Sequence, residues 1–170
     1  MAVSNPPPLA DSYVIAIAGG SGSGKSTLAN ALVSELGSSF ATVLAIDAYY
    51  HDLAHLSLTE RERTNFDHPD ALDLALFEQH VLALKAGQTI QQPCYDFGTH
   101  CRQAQTTEII PRKWMVVEGI LVTATASLRA LYDQVIYVEA DRTVRWQRRL
   151  LPVARAVNRA PLSRPRLPPQ

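Results

Sequence analysis

Apolar and polar positions fall along this chain in two kinds of run. YVIAIAG at 13 to 19, ATVLAID at 41 to 47, WMVVEGI at 114 to 120 and QVIYVEA at 134 to 140 are short and apolar at successive positions. That is the pattern of parallel strands buried on both faces. Between the first two, STLANALVSELG repeats Leu28, Leu32, Leu36 and neighbouring Ala31 at helical spacing, with Gly37 as its stop. DLALFEQHVLALKAG predicts a second helix with Leu74, Phe77, Val81, Leu82 and Leu84 on its inner side and Gly87 as terminator. In the polar stretch from His51 to Asp67, Ser57 followed by Glu60 predicts a capping box and a short helix. Residues 89 to 111 read as an extended excursion, TIQQPCYDFG turning back into CRQAQTTEII as a hairpin-like flap. Strands alternating with helices predict an α/β fold: a parallel β-sheet flanked by helices.

The ends depart from this pattern. Residues 1 to 12 form a Pro-rich leader expected to lie outside the fold, disordered. After Asp141 there is no Asp or Glu, and the last 29 residues hold eight of the sixteen Lys and Arg and five of the eleven Pro. Pro152, Pro161 and Pro165 interrupt any helix there, so 152 to 170 are predicted to be a disordered basic tail and 13 to 151 the single domain. With 170 residues, 46% hydrophobic and 19% charged, the chain has material for one core, which excludes disorder or a collagen-like repeat for the whole. Sixteen basic residues balance sixteen acidic ones, so global charge predicts no specific nucleic-acid partner. Cys94 and Cys101 are too few for a disulfide framework or a zinc site and read as reduced thiols of a cytoplasmic protein. No signal-peptide pattern and no long apolar run occur, so no membrane is expected.

Chemistry enters at Gly19-Gly20-Ser21-Gly22-Ser23-Gly24-Lys25-Ser26, which fits G-x-x-x-x-G-K-[ST] between a strand and a helix. Glycines let successive backbone N–H groups turn inward around an anion, and the helix that follows aims its positive end at the same place. Lys25 is placed for the β- and γ-phosphates of a nucleotide and the Ser26 hydroxyl for Mg²⁺. Glu118, ending WMVV, stands at the carboxyl edge of a strand, where open α/β sheets bind ligands; it is a candidate for the Mg²⁺ shell. Asp47, placed likewise after VLAI, is a candidate base for an attacking hydroxyl.

With AGGSGSGKST at 18 to 27, DAYYHD at 47 to 52, LTERERTNFDHPDALD at 58 to 73, PCYDFGTHCR at 93 to 102 and VVEGIL at 116 to 121, the chain resembles the uridine/cytidine kinases from about Tyr13 to Arg149. The loop alone is shared by many proteins; the NFDHP and YDF…H…R segments are far more specific. The resemblance implies a P-loop NTPase fold and transfer of the γ-phosphate of ATP (or GTP), with Mg²⁺, to the 5′-hydroxyl of uridine or cytidine. It implies Lys25 and Asp47 as catalytic residues, Asp47 being the general base, with Tyr50 beside it at the nucleoside. Gly19 to Thr27 would hold the nucleotide, Phe66 and Asp67 would contact base and sugar, and Tyr95 and His100 would line the pyrimidine pocket. Arg149 would approach the phosphates or the substrate. Members of the family are commonly homo-oligomers. His68 before proline reads as structural, and His80 as a helix histidine; His51 and His55 show no metal-ligand pattern.

Past RWQRRL the chain matches none of the family's Arg-rich lid, last strand and C-terminal helix, the pattern a truncated or frame-shifted product shows. The expectation is therefore a fold with its C-terminal edge strand and lid missing. The alternative readings are an ATP-binding remnant impaired in catalysis and a phosphoribulokinase-like P-loop kinase.

Overall fold

The computed structural model describes residues 12–159. In order, the chain forms β1 (Tyr13–Ala18), α1 (Lys25–Leu36), β2 (Ala41–Ala45), α2 (Leu58–Glu62), α3 (Leu74–Lys85), β3 (Ile90–Asp96), β4 (Cys101–Ile109), β5 (Trp114–Glu118), α4 (Ala126–Ala130), β6 (Gln134–Tyr137) and α5 (Arg142–Arg159). A parallel sheet of order β2-β5-β1-β6 is the centre, as the buried runs predict. The pair β3 and β4 forms the antiparallel flap, with an irregularity between Pro93 and Tyr95.

The two-residue period of a strand divides the core into two layers. Val14, Ala16 and Ala18 turn to one face with Leu44, Met115 and Val117 and meet Phe77, Val81 and Leu84 of α3. Ile15 and Ile17 turn to the other with Val116, under Ala29, Leu32 and Val33 of α1. The predicted cap of α2 forms: the Glu60 carboxylate accepts the Ser57 N–H at 2.9 Å and its hydroxyl at 2.6 Å.

Several expectations are corrected. In α1 the inner face centres on fully buried Ala29, while Leu28 is 38% exposed and Ala31 is exposed. The helix begins at Lys25, whose side chain is buried in the glycine turn, and Ala29 follows it on the same face one turn later. In α3, Phe77, Val81 and Leu84 fill the inner stripe and leave Leu82 half exposed on its flank. Strand β2 ends at Ala45, and Ile46–Tyr49 coil into a 3-10 turn that carries Asp47. Strand β6 is not buried: it is the outer strand of the sheet, with Val135 47% and Tyr137 70% exposed. Helix α4, capped by the Thr125 hydroxyl on the Leu128 N–H, is too short to show a period in sequence.

Helix α5 runs past Pro152 to Arg159, into the stretch read as a basic tail. The leader at 1 to 11 and the tail at 160 to 170 lie outside the described residues. Among the described residues no helix is long and apolar enough to cross a membrane.

This layering sets opposite outcomes for two residues of α3. Phe77→Ala empties a fully buried site and lowers unfolding free energy by about 3–5 kcal/mol, whereas Leu82→Ala stays within about 0.5 kcal/mol. Urea titrations of both variants read the difference directly.

Candidate functional site

Strand register brings the chemistry together. β5 lies between β1 and β2, and Glu118 is paired with Ile17 on one side and Ala45 on the other. The glycine loop leaves β1 and the Asp47 turn leaves β2, so both flank the Glu118 carboxylate at the carboxyl edge of the sheet. Glu118 is only 8% exposed, and its Oε1 accepts the Ser26 hydroxyl at 3.0 Å. Gly119 permits the close approach of the Asp47 turn to the end of β5: a Cβ there would overlap Ile46 Cγ2 and sit 3.3 Å from Asp47 Oδ1.

Asp47 feels this crowding. Its Oδ1 is buried without a hydrogen-bond partner, and its carboxyl is held above the ordinary 3.8, first by burial and then by the charge of Glu118, with Lys25 opposing. Lys25 is 7% exposed, and its Nζ donates to Gly20 O at 3.2 Å. Gly22, at φ 78°, lets the α5 backbone come close to the loop: a Cβ there would lie 2.8 Å from Arg145 O.

Asp47 and Glu118 also line a cleft of about 400 Å³, whose outer wall is Gln92, Pro93, Cys94, Tyr95 and Phe97. Tyr50 anchors that wall, its ring centroid 5.3 Å from those of both Phe66 and Tyr95 and 6.3 Å from Phe97, with its hydroxyl donating to Phe66 O at 3.0 Å. Phe66 stacks on His100 at 4.8 Å and 19°. Burial, reinforced by Cys101 and Asp52, pushes the Tyr95 hydroxyl up to about 12. Burial likewise raises Tyr50, helped by Asp47 and Asp67. His100 adopts φ 54°, uncommon for a residue with a side chain, and both its Nδ1 and the Tyr95 hydroxyl lack partners. Asp67 is exposed, its backbone tied to Asn65.

Arg102 holds the flap to the Asp47 turn. Its Nε donates to Tyr50 O at 2.7 Å and its Nη2 to Tyr49 O at 3.0 Å, with Asp73 Oδ2 at 3.2 Å. Arg61 ties the flap tip to the polar loop through Thr99 O, Leu56 O and Ala54 O. The remaining histidines stay apart from the cleft: His80 Nδ1 meets the Tyr49 hydroxyl at 2.8 Å, and His68 Nδ1 caps the Pro69–Ala71 turn.

Two arginines that sequence reasoning passed over stand on the loop. Arg148 Nη1 donates to Gly22 O and Ser23 O, each at 3.1 Å, and the Arg145 guanidinium packs against Gly20. Predicted Arg149 joins them through Ser21 Oγ at 3.3 Å. Their signal in sequence is the spacing 145, 148, 149, which places three cations on one helix face. Thr27 is exposed in the first turn of α1 beside the loop.

The loop suits an anion. Lys25, Arg145, Arg148 and Arg149 converge on it, and none is ion-paired among the described residues; a buried ammonium is expensive without a counter-charge. The Ser26 hydroxyl beside the Glu118 carboxylate is an oxygen pair of the kind a phosphate-bound Mg²⁺ uses. No cluster of three His, Cys, Asp or Glu exists among the described residues, so a cation here would depend on phosphate oxygens for the rest of its shell.

Removing the negative neighbour relieves Asp47: Glu118→Gln moves the titration midpoint of the Asp47 carboxyl down toward 3.8, read by ¹³C NMR, and an unmoved midpoint refutes the coupling. A carboxyl raised on folding costs stability as pH rises from its unfolded to its folded pKa, and the full cost persists above. Asp47→Asn therefore raises the melting temperature at neutral pH and leaves it unchanged well below 3.8.

Over 137 residues the chain is 42% identical to a uridine kinase of Clostridium perfringens and 44% identical to one of Chloroflexus aurantiacus; each match covers 81% of this chain. The chain spans 66% of the length of these relatives. A solved Silicibacter structure described as that of a fructose transport system kinase superposes with a TM-score of 0.72 at 25% identity, covering 88% of this chain and 77% of that one. Residues 14–155 match the family described as phosphoribulokinase / uridine kinase, and the chain belongs to that family.

Proposed function

We propose that the chain transfers the γ-phosphoryl group of ATP to the 5′-hydroxyl of uridine or cytidine, giving UMP or CMP. The observation that carries this reading is Asp47. Its unpartnered carboxylate oxygen belongs to a residue that lines a cleft with Glu118 behind it and the aromatic flap in front.

Each part has a chemical task. Loop N–H groups, Lys25 and the α5 arginines hold the donor phosphates and offset the charge that builds up during transfer. Bound Mg²⁺ supplies further neutralisation of the phosphates, and Ser26 and Glu118 are the residues to hold it or its waters. Asp47 accepts the 5′-hydroxyl proton as that oxygen bonds to the γ-phosphorus and the bond to the leaving ADP breaks. Its raised carboxyl is a stronger base than an exposed aspartate.

The acceptor is read from the cleft lining. Tyr95 and Phe97 offer faces and edges to a flat base, with Tyr50 packed against both and Phe66 against Tyr50. A phosphorylated sugar calls for cations, and none of the residues lining the cleft is Lys or Arg. The names of the Clostridium and Chloroflexus relatives support the same choice.

Release of ADP from Mg-ATP, with and without uridine or cytidine, tests the reading. Nucleoside-dependent turnover falls by about a hundredfold or more in Asp47→Asn while ATP binding persists, and Lys25→Ala loses both turnover and nucleotide affinity. Near-normal turnover in Asp47→Asn would rule that residue out as the base.

A further inference from the structure

Gln92 has no part in the scheme above, yet it lines the same cleft as Asp47, Tyr95 and Glu118. Its Oε1 is buried and has no hydrogen-bond partner. Nothing in the flap demands that. Neighbouring Gln91 is exposed, and its Oε1 accepts the Thr106 hydroxyl at 2.8 Å. Gln92 stands across from Thr107, whose hydroxyl is engaged instead with Cys94 Sγ at 3.4 Å. Gln92 also follows buried Ile90 at two-residue spacing, a position where strand alternation calls for an apolar side chain.

A buried acceptor left unpaired destabilises a fold, and folded proteins satisfy nearly all such groups. Here the unpaired acceptor shares its cleft with the unpartnered Asp47 Oδ1 and Tyr95 hydroxyl. The three groups make a set that one polar molecule satisfies together.

We propose that Gln92 is a substrate-binding residue of the acceptor site, its carboxamide oxygen accepting a hydrogen bond from a hydroxyl or N–H of the nucleoside. This rests on the nucleoside reading of the cleft. A methionine at the position keeps length and shape and removes the acceptor.

Calorimetric titration of the full chain with uridine, cytidine, 2′-deoxyuridine, 3′-deoxyuridine and N3-methyluridine tests the inference. Gln92→Met weakens uridine binding roughly three- to tenfold, the worth of one neutral hydrogen bond, and leaves ATP binding unchanged. One analogue, lacking the donor that Gln92 takes, binds the native chain and the variant equally; the two deoxy arms implicate the sugar and the N-methyl arm the base. Equal binding of every nucleoside by native and variant chains, with a higher melting temperature in the variant, overturns the inference while the nucleoside reading stands. Native affinity indifferent to all three deletions overturns it without recourse to any variant. A native chain that binds ATP but no nucleoside overturns the reading itself and this inference with it, an outcome visible in the native arm alone.

Discussion

Three adjacent parallel strands in a single register are the constraint on which this molecule depends. Because β5 is sandwiched between β1 and β2, Glu118 comes level with Ile17, one residue short of the end of β1, and with Ala45, the last residue of β2. Whatever follows those strands is then delivered to the same few ångströms of space. The glycine loop follows β1, and the Asp47 turn follows β2. The two carboxylates become close enough for one to raise the other's pKa, and close enough for the Ser26 hydroxyl to bond Glu118 from the opposite side. Slipping β5 by one residue would turn Glu118 to the other face of the sheet and separate the groups without changing a single side chain.

Around that centre the chain concentrates unsatisfied polarity. Among the described residues, Ser23, Asp47, Gln92, Tyr95, His100 and Arg145 each bury a polar atom without a partner; five belong to the loop, the cleft or the flap, and Arg145 lies on α5 against the loop. The apolar layers on both faces of the sheet carry the stability that tolerates this. The cost falls where ligand contacts are made, consistent with a site organised for a partner rather than for its own rest state.

Much of this is legible in the amino-acid sequence, and the limits have physical causes. The glycine loop is readable because its task restricts nearly every position, and β1 and β5 because strands buried on both faces are apolar throughout. The exposure of β6 is not readable: Val135 and Tyr137 look like core residues, and only the sheet order puts them at an edge. The rotation of α1 is hidden for a related reason, since Lys25 sets it and not the leucines. Residues of the cleft divide in the same way. Asp47 and Glu118 stand out as acids ending apolar runs, whereas Gln92 becomes notable only once its missing partner is seen, and Arg145 and Arg148 only once α5 lies across the loop.

The grip of Arg102 has a bearing on how such a site can diversify. Its guanidinium holds the main-chain carbonyls of Tyr49 and Tyr50 rather than their side chains, and every residue type offers the same carbonyl. Substitutions in the Asp47 turn therefore leave the tether of the flap in place, and substitutions in the flap away from Arg102 leave the turn in place. Different side chains can be explored on β3 and β4 through successive single changes, with the glycine loop, Asp47 and Glu118 kept in register throughout.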